Sequence, residues 1–383
     1  MKPDAYERSA RISLVSSFIP SLFLGYVAPI EISDASGMNL MNVLTCEWVD
    51  SLLDACGGPD LRSKLGPQPV PGGTVLGNIS NWWVLRWGFS PGKPPPPHRH
   101  SCPHQLPECI IAPFTGDNSA TVVSLSAPGD AILSLGTSTT LLLSIPPADT
   151  PPKRPTTSHL LSHPTTIDAK IVMLCYKNGA LAREHVRDRH ANRDWEKYNH
   201  LVESTPVGNN GYLGFYFPLP EIIPPNVRGE FLFTAKDSRP TRVDSIPSQA
   251  HPRAILESQF LSIKSRIAAI LPPNSPPLRR MVVTGGSSAN QTIRQLAADL
   301  FGIRVYVAES KEAAGTGGAI LAKFAWWKQQ NGGSGSFEEM SCGDLERMRL
   351  VAEPKSEATK AYDQLVEGYR ACEQAVVDLC SKA

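Results

Sequence analysis

The sequence predicts an α/β fold, and three observations carry that prediction. Short apolar runs of strand type alternate with longer stretches of helical period. Glycine-rich turns punctuate the changeovers. Hydrophobic residues make up 41% of the chain and charged ones 19%, the latter below the roughly 25% usual in soluble domains, so there is apolar surface enough for large cores. The 383 residues leave room for two or three domains at the usual ~100–200 residues each.

Taken in order, the first element is the uncharged run Ile12–Ile30, preceded by Lys2, Arg8 and Arg11. It imitates a signal peptide. Ile12, Val15, Ile19, Leu22, Phe23 and Tyr26 nevertheless share one face at helical spacing, diluted by Ser13, Ser16, Ser17, Ser21 and Pro20. It therefore reads as a helix burying its apolar face, not as a membrane span. Trp82, Trp83 and Trp87, close together with Val84 and Leu85, suggest core or interface packing. Cys109–Ala112 reads as a strand leading through the turn Thr115–Asn118 into Ala120–Ser124. A composition shift near Ser124–Asp130 marks a boundary between a first lobe, 1–124, and a second, 125–383. Ala131–Ile145, broken at Gly136, reads as two strands joined by a tight turn. Met281–Val283 is a short buried strand, Gly285–Gly286 a turn, and Gln291–Phe301 an amphipathic helix stopped by Gly302. Ile303–Ala308 is a further strand, Glu312–Trp327 a small-residue helix and Glu357–Ser381 a long terminal helix. Pro91–Glu108, Pro146–Pro155 and Asn331–Ser336 read as surface excursions or linkers.

Charge and cysteine usage bound the function. A net charge of +1 supplies no basic field for nucleic acid or an anionic membrane. The 8 cysteines are scattered with no CxxC pair, unlike a disulfide scaffold. Reduced, mostly buried thiols in a cytoplasmic protein fit better. His98, His100, Cys102, His104 and Cys109 have zinc-type chemistry, but their spacing matches no finger or ribbon and a solvated loop explains them. No metal ligand is assigned.

Three segments could carry chemistry. In Pro113–Asn118 an Asp stands beside a Gly that lets a ligand approach the backbone. Asp117 could accept a proton from a hydroxyl nucleophile, with the Asn118 amide fixing that hydroxyl. An Asp-Asn turn capping the backbone explains the same residues. Ser134–Thr140 gathers free amides and hydroxyls around Gly136, as a polyphosphate requires, although a Thr-rich hairpin of purely structural meaning has the same composition. Thr284–Asn290 follows a strand and precedes a helix, so its glycines would admit a ligand near the helix N-terminus. Neither GxGxxG nor GxxxxGK[ST] occurs.

Together these segments resemble the FGGY family of carbohydrate kinases, in particular its eukaryotic xylulose kinases. The matching stretches are Arg11–Ser17 (RISLVSS), Ser33–Leu40 (SDASGMNL), Pro113–Asn118 (PFTGDN), Ser134–Thr140 (SLGTSTT), Leu174–Glu184 (LCYKNGALARE), Leu213–Phe217 (LGFYF) and Val283–Asn290 (VTGGSSAN). They keep family order from about Pro3 to Trp327. The resemblance implies an actin-like, ribonuclease-H-like ATPase fold of two lobes with the active site in the cleft between them. It implies transfer of the γ-phosphoryl group of ATP, as its Mg²⁺ complex, to the 5-hydroxyl of D-xylulose. On that resemblance Asp117 matches the catalytic base and Asn118 the adjoining sugar contact. Gly136, Thr137 and Ser138 match the second phosphate loop, and Gly285, Gly286, Ser287 and Asn290 the nucleoside-binding turn. Trp195 stands where the family has an aromatic near the nucleotide.

The departures from the pattern are equally specific. The family's first phosphate loop, with its Mg²⁺-associated Asp, has no counterpart after Met1, so the resemblance implies a first lobe that is incomplete here. A catalytically silent remnant that binds nucleotide or a partner is the alternative this raises. Arg8 matches a surface helix and takes no sugar role. Removing Gly92–Pro107 would restore an uninterrupted family-like run, which suggests an intron read through in frame. Gly315, Gly317 and Gly318 stand in a helix, where each costs roughly 1 kcal/mol against Ala, and suggest close packing of that helix on the sheet.

Overall fold

The computed structural model describes residues 3–89, 109–127, 129–147, 157–234, 240–271, 277–309, 312–341 and 348–381. The proline-rich block Gly92–Pro107, with His98, His100, Cys102 and His104, lies outside them, as does most of Pro146–Pro155. The chain forms two compact units. One is Met1–Leu125 with Leu160–Ile171 and Lys311–Leu345; the other is Ser126–His159 with Val172–Ser310 and Glu346–Ala383.

The second unit is built on a mixed sheet in the order Met348–Ala352, Val305–Ala308, Arg280–Thr284, Asp130–Leu135, Thr139–Ile145 and Lys170–Tyr176, the last belonging to this unit from Val172 onward. Asp130–Leu135 pairs antiparallel with Thr139–Ile145, closing the hairpin at Leu135 opposite Thr139. On its other side it runs parallel to Arg280–Thr284, Ala131 beside Met281. Such a central strand is covered on both faces, which is why it reads as a continuous apolar run and not as an alternating one. Helix His251–Ile270 is buried along most of its length. Arg253 there bonds Glu257 at 2.7 Å and the Tyr362 hydroxyl at 2.8 Å. That ties it to the terminal helix Ser356–Ser381 through a buried network whose charges are fully paired. Tyr212–Phe217, Gly229–Thr234 and Thr241–Val243 form a separate antiparallel sheet.

The first unit is mostly helical. One core gathers Ile30, Ala35, Met41, Trp48, Leu53, Leu61 and Leu65; another gathers Val123, Leu321, Phe324 and Phe337. The second core lies between helix Asp117–Leu125 and helix Ala313–Gln330. The glycines of the latter do permit close packing, but on a helix and not on a sheet. A Cβ at Gly317 would stand 2.5 Å from the Ala120 carbonyl carbon.

Three expectations are corrected. The apolar run does form a helix, Val15–Leu24, but with the opposite face inward: Ser16, Ser17, Pro20 and Leu24 are buried, while Val15 is 80% exposed and Phe18, Ile19 and Leu22 are exposed as well. The serines can be buried because each finds a partner. Ser17 donates to Leu14 O and Ser21 to Ser17 O, and Ser16 donates to the Asp34 carboxylate. Of the core or interface packing expected for the tryptophans on helix Asn81–Trp87, the core half does not hold: Trp82 is 60% exposed. Trp83 packs on Phe23 with ring centroids 4.7 Å apart and donates to Leu22 O. Finally, the described cysteines are free thiols, but only Cys372 is buried, since most of the others fall at turns and element ends. Among the described residues no helix is long and apolar enough to cross a membrane.

Candidate active site

In the first unit a cavity of about 760 Å³ is walled by Val15, Ser16, Ile19, Phe23, Asp34 and the run Ile110–Asp117. The apolar face of helix Val15–Leu24 that is turned away from the core supplies one of these walls. Asp117 stands at the N-terminal turn of helix Asp117–Leu125, solvent-exposed, where the helix dipole favours a carboxylate. Its Oδ1 accepts from its neighbour's amide, Asn118 N, at 2.8 Å. The sequence allowed two readings of this turn, and both features are present: the side chain caps the backbone, and it also lines the cavity. The lining ends at Asp117, and Asn118 is half-buried beyond it.

The turn is held from behind by the SDAS segment. Glu31 caps helix Ile32–Gly37, its Oε2 accepting from Ser33 N at 3.0 Å and Asp34 N at 3.2 Å. Ser33 Oγ lies 2.6 Å from Ser119 Oγ, joining this short helix to the one Asp117 begins. Glu31 is fully buried, and burial pushes its carboxyl up to about 7 against the opposing bonds from Thr115, Ser33 and Asp34. The Thr115 hydroxyl lies close enough to favour the charged form, yet neither it nor Glu31 Oε1 completes a hydrogen bond of good geometry.

A pH dependence follows. A carboxyl raised from 4.5 to about 7 keeps its proton longer in the folded state. The stability it contributes is fully present below about pH 4.5 and is lost as pH rises past 7. Glu31→Gln removes that loss, so its stability relative to the unsubstituted chain should rise by about 3 kcal/mol between pH 4.5 and 8. Urea denaturation of both proteins across this range measures the difference. A constant offset would contradict the assignment.

In the second unit a cavity of about 600 Å³ is lined by Leu135, Gly136, Thr137, Ala180, Glu184, Trp195, Gly286, Ser287, Ala289, Asn290 and Ile293. The glycine hairpin and the Gly-Gly turn meet here. Gly285 has φ +82, and a Cβ on it would lie 2.8 Å from the Leu135 carbonyl carbon. A Cβ on Gly179 would lie 2.6 Å from Ser138 C and Thr139 N. Only glycine permits both approaches. Gly179 N donates to Thr137 O at 3.1 Å and Ala180 N to Gly136 O at 3.0 Å. The hairpin's carbonyls are thereby engaged, while the amides of Gly136, Thr137 and Ser138 carry no hydrogen bond among the described residues. Free amides on a glycine turn are an anion-binding arrangement.

Of the residues read from sequence, Gly136, Thr137, Trp195, Gly286, Ser287 and Asn290 line this one cavity; Ser138 and Gly285 adjoin it without lining it. Several are partly committed to structure. Asn290 caps helix Gln291–Phe301 through Ile293 N at 3.2 Å, and its Nδ2 donates to Asn199 Oδ1 at 2.8 Å. Trp195 is half-buried with the Arg187 guanidinium 4.7 Å over its ring.

Arg183 was missed. It is fully buried, donating to Gln259 Oε1 at 2.8 Å, Thr139 Oγ1 at 3.5 Å and Ser287 Oγ at 3.2 Å. One guanidinium thus links the hairpin to the Gly-Gly turn, and burial pulls it down to about 10. Periodicity gives no signal for an arginine packed inward between Ala182 and Val186.

The C-terminal domain of the FGGY family of carbohydrate kinases matches residues 131–326. The chain belongs to that family. The xylulose kinase of Mus musculus is 37% identical over 382 residues, covering 99% of this chain and 64% of that protein. A probable D-xylulose kinase A of Aspergillus clavatus is 35% identical over 411 residues, covering 98% and 67%. This chain therefore spans 64% of the mouse protein's length. Among solved structures, a ligand-bound xylulose kinase from Lactobacillus acidophilus superposes with a TM-score of 0.74 at 16% identity, covering 98% of this chain and 70% of that one. A Plasmodium falciparum glycerol kinase with ADP gives 0.70 at 14% identity, covering 97% and 69%. These likenesses show the fold, that of the sugar kinases of the actin-like ATPase class.

Proposed function

We propose that the chain takes part in ATP-dependent phosphorylation of D-xylulose to D-xylulose 5-phosphate in the cytoplasm. The observation that carries the nucleotide half is a hairpin with free amides held by two glycine contacts, at Gly285 against the Gly-Gly turn and at Gly179 against the start of helix Ala180–His190. Gly136, Thr137 and Ser138 would hold phosphate oxygens, and Gly286, Ser287, Asn290 and Trp195 the nucleoside. In the other unit Asp117 and Asn118 would meet the sugar, with Asp117 taking the proton of the attacking hydroxyl. Two lobes with the divide at 124/125 is the corresponding domain reading. Choice of a ketopentose rests on the names of the relatives, at 35–37% identity along nearly the whole chain.

The residues present suit a metal that arrives with the nucleotide. The described residues hold no cluster of three His, Cys, Asp or Glu. Mg²⁺ bound chiefly by phosphate oxygens and water needs only one or two carboxylates, and Glu184 lines the nucleotide cavity. When bound, the ion neutralises charge on the phosphates.

The test is ADP release from ATP with D-xylulose, glycerol or D-gluconate as acceptor. Release that depends on D-xylulose supports the reading. No release, together with no binding of D-xylulose in calorimetry, overturns it.

A further inference from the structure

The SDAS segment carries a carboxylate that the proposed reaction has not used. Asp34 belongs to helix Ile32–Gly37 and lines the same cavity as Asp117. Its two oxygens are differently placed. Oδ2 accepts from Ser16 Oγ. Oδ1 has no hydrogen-bond donor among the described residues and faces the backbone at Gly116: a Cβ there would stand 2.7 Å from it. Gly116 thus leaves the gap in which the Asp34 carboxylate can stand next to the residue preceding Asp117.

The mounting is rigid. The Asp34 amide is bonded to Glu31 Oε2 at 3.2 Å, and the adjoining Ser33 bonds Ser119 on the helix that begins at Asp117. The remaining walls are largely apolar, from Val15, Ile19, Phe23, Ile110 and Ile111. Burial, with the charge of Asp117 adding to it, pushes the Asp34 carboxyl above its ordinary range, although the Ser16 hydroxyl opposes the shift. The two carboxylates therefore sense one another.

From this geometry we infer that Asp34 is a second acceptor in the sugar cavity, taking a hydrogen bond from a hydroxyl of the bound ketose and thereby fixing which hydroxyl stands at Asp117. The inference rests on the sugar-kinase reading above and deepens it in one respect, the substrate class. Two carboxyl groups on a largely apolar wall suit an uncharged polyhydroxylated ligand, every hydroxyl of which can donate. They repel a sugar acid, whose own carboxylate would face like charge in a partly desolvated space. Asp34 is then a specificity-determining residue: it holds the sugar and leaves the proton transfer to Asp117.

Asp34→Asn is the informative variant. It keeps an oxygen for Ser16 and the backbone bond to Glu31, but presents an amide where a hydroxyl needs an acceptor. Calorimetry with D-xylulose and with D-gluconate, on the whole chain, reads the effect. The unsubstituted chain should bind D-xylulose and not D-gluconate. Asp34→Asn and Asp34→Ala should bind D-xylulose roughly 10- to 100-fold more weakly, the range for losing a hydrogen bond to a charged group. The discrimination against D-gluconate should narrow in both. ATP affinity should stay the same, a readout that a general loss of structure would move. If D-xylulose binds to the unsubstituted chain and equally well to Asp34→Asn, the assignment of Asp34 is wrong while the function stands. If the unsubstituted chain binds neither sugar, the functional reading fails first, and Asp34 falls with it.

Discussion

Asp117→Asn is expected to lower D-xylulose-dependent ADP release by roughly 10²- to 10⁴-fold, the usual worth of a positioned general base. The change is nearly isosteric. An asparagine oxygen can still accept from the Asn118 amide, as Asp117 Oδ1 now does at 2.8 Å, so the turn keeps its shape. What goes is the feature on which the proposed proton transfer depends, a carboxylate oxygen able to take the proton of a hydroxyl. The stability cost should be small, since Asp117 is exposed. Losing its charge from the first helical turn is worth about 0.3–1 kcal/mol. Steady-state kinetics and a thermal melt on the same preparation separate the two effects. Asp34→Asn should by contrast act mainly through KM, because Asp34 is assigned to holding the sugar. Full turnover by Asp117→Asn would remove Asp117 as the base. A coincident loss of folded protein would show that the turn needs the charge.

How far the sequence could be read depended on whether a signal was local. Helix Gln291–Phe301 was legible to the residue because both ends carry their own stop signals: Asn290 bonds Ile293 N, and Gly302 adopts φ +72. The hairpin around Gly136 was legible for the same reason, two buried strands meeting at a glycine turn. Helix Val15–Leu24 shows the limit. Its period was correct and its buried face was not, since side-chain hydrogen bonding let serines go inward, and one of those bonds ends on Asp34, 18 residues away. Arg183 and Asp34 were out of reach altogether. Two of the partners of Arg183, Gln259 and Ser287, lie 76 and 104 positions further along, and the oxygen of Asp34 finds its place only against Gly116. Among the site residues, the glycines were readable as turns. Which backbone each of them touches was not.

One glycine pair converts that distinction into a measurement. Gly317→Ala should destabilise the protein by about 2–4 kcal/mol, the range for forcing extra volume into a packed interface. Gly315→Ala, two positions earlier in the same helix, should stabilise it by about 1 kcal/mol. Helix propensity predicts the same gain at both sites, so packing alone sets the difference. Nothing lies within 4 Å of a Cβ at Gly315. At Gly317 the new atom would stand 2.5 Å from the Ala120 carbonyl carbon and nearer still to its oxygen. These are backbone atoms of helix Asp117–Leu125, with no rotamer to turn away. Relief can come only by separating the helices, which opens the core of Val123, Leu321, Phe324 and Phe337 between them. Urea denaturation of the two variants decides the matter; equal shifts in the same direction would mean that the helices do not meet at Ala120. The functional consequence runs through the same contact. Ala120 lies one turn from Asp117, so a helix pushed aside at Ala120 carries the carboxylate with it. Any Gly317→Ala protein that stays folded should therefore lose sugar-dependent turnover while Gly315→Ala keeps it, since a displacement of about 1 Å at the reacting groups can cost around 10²-fold.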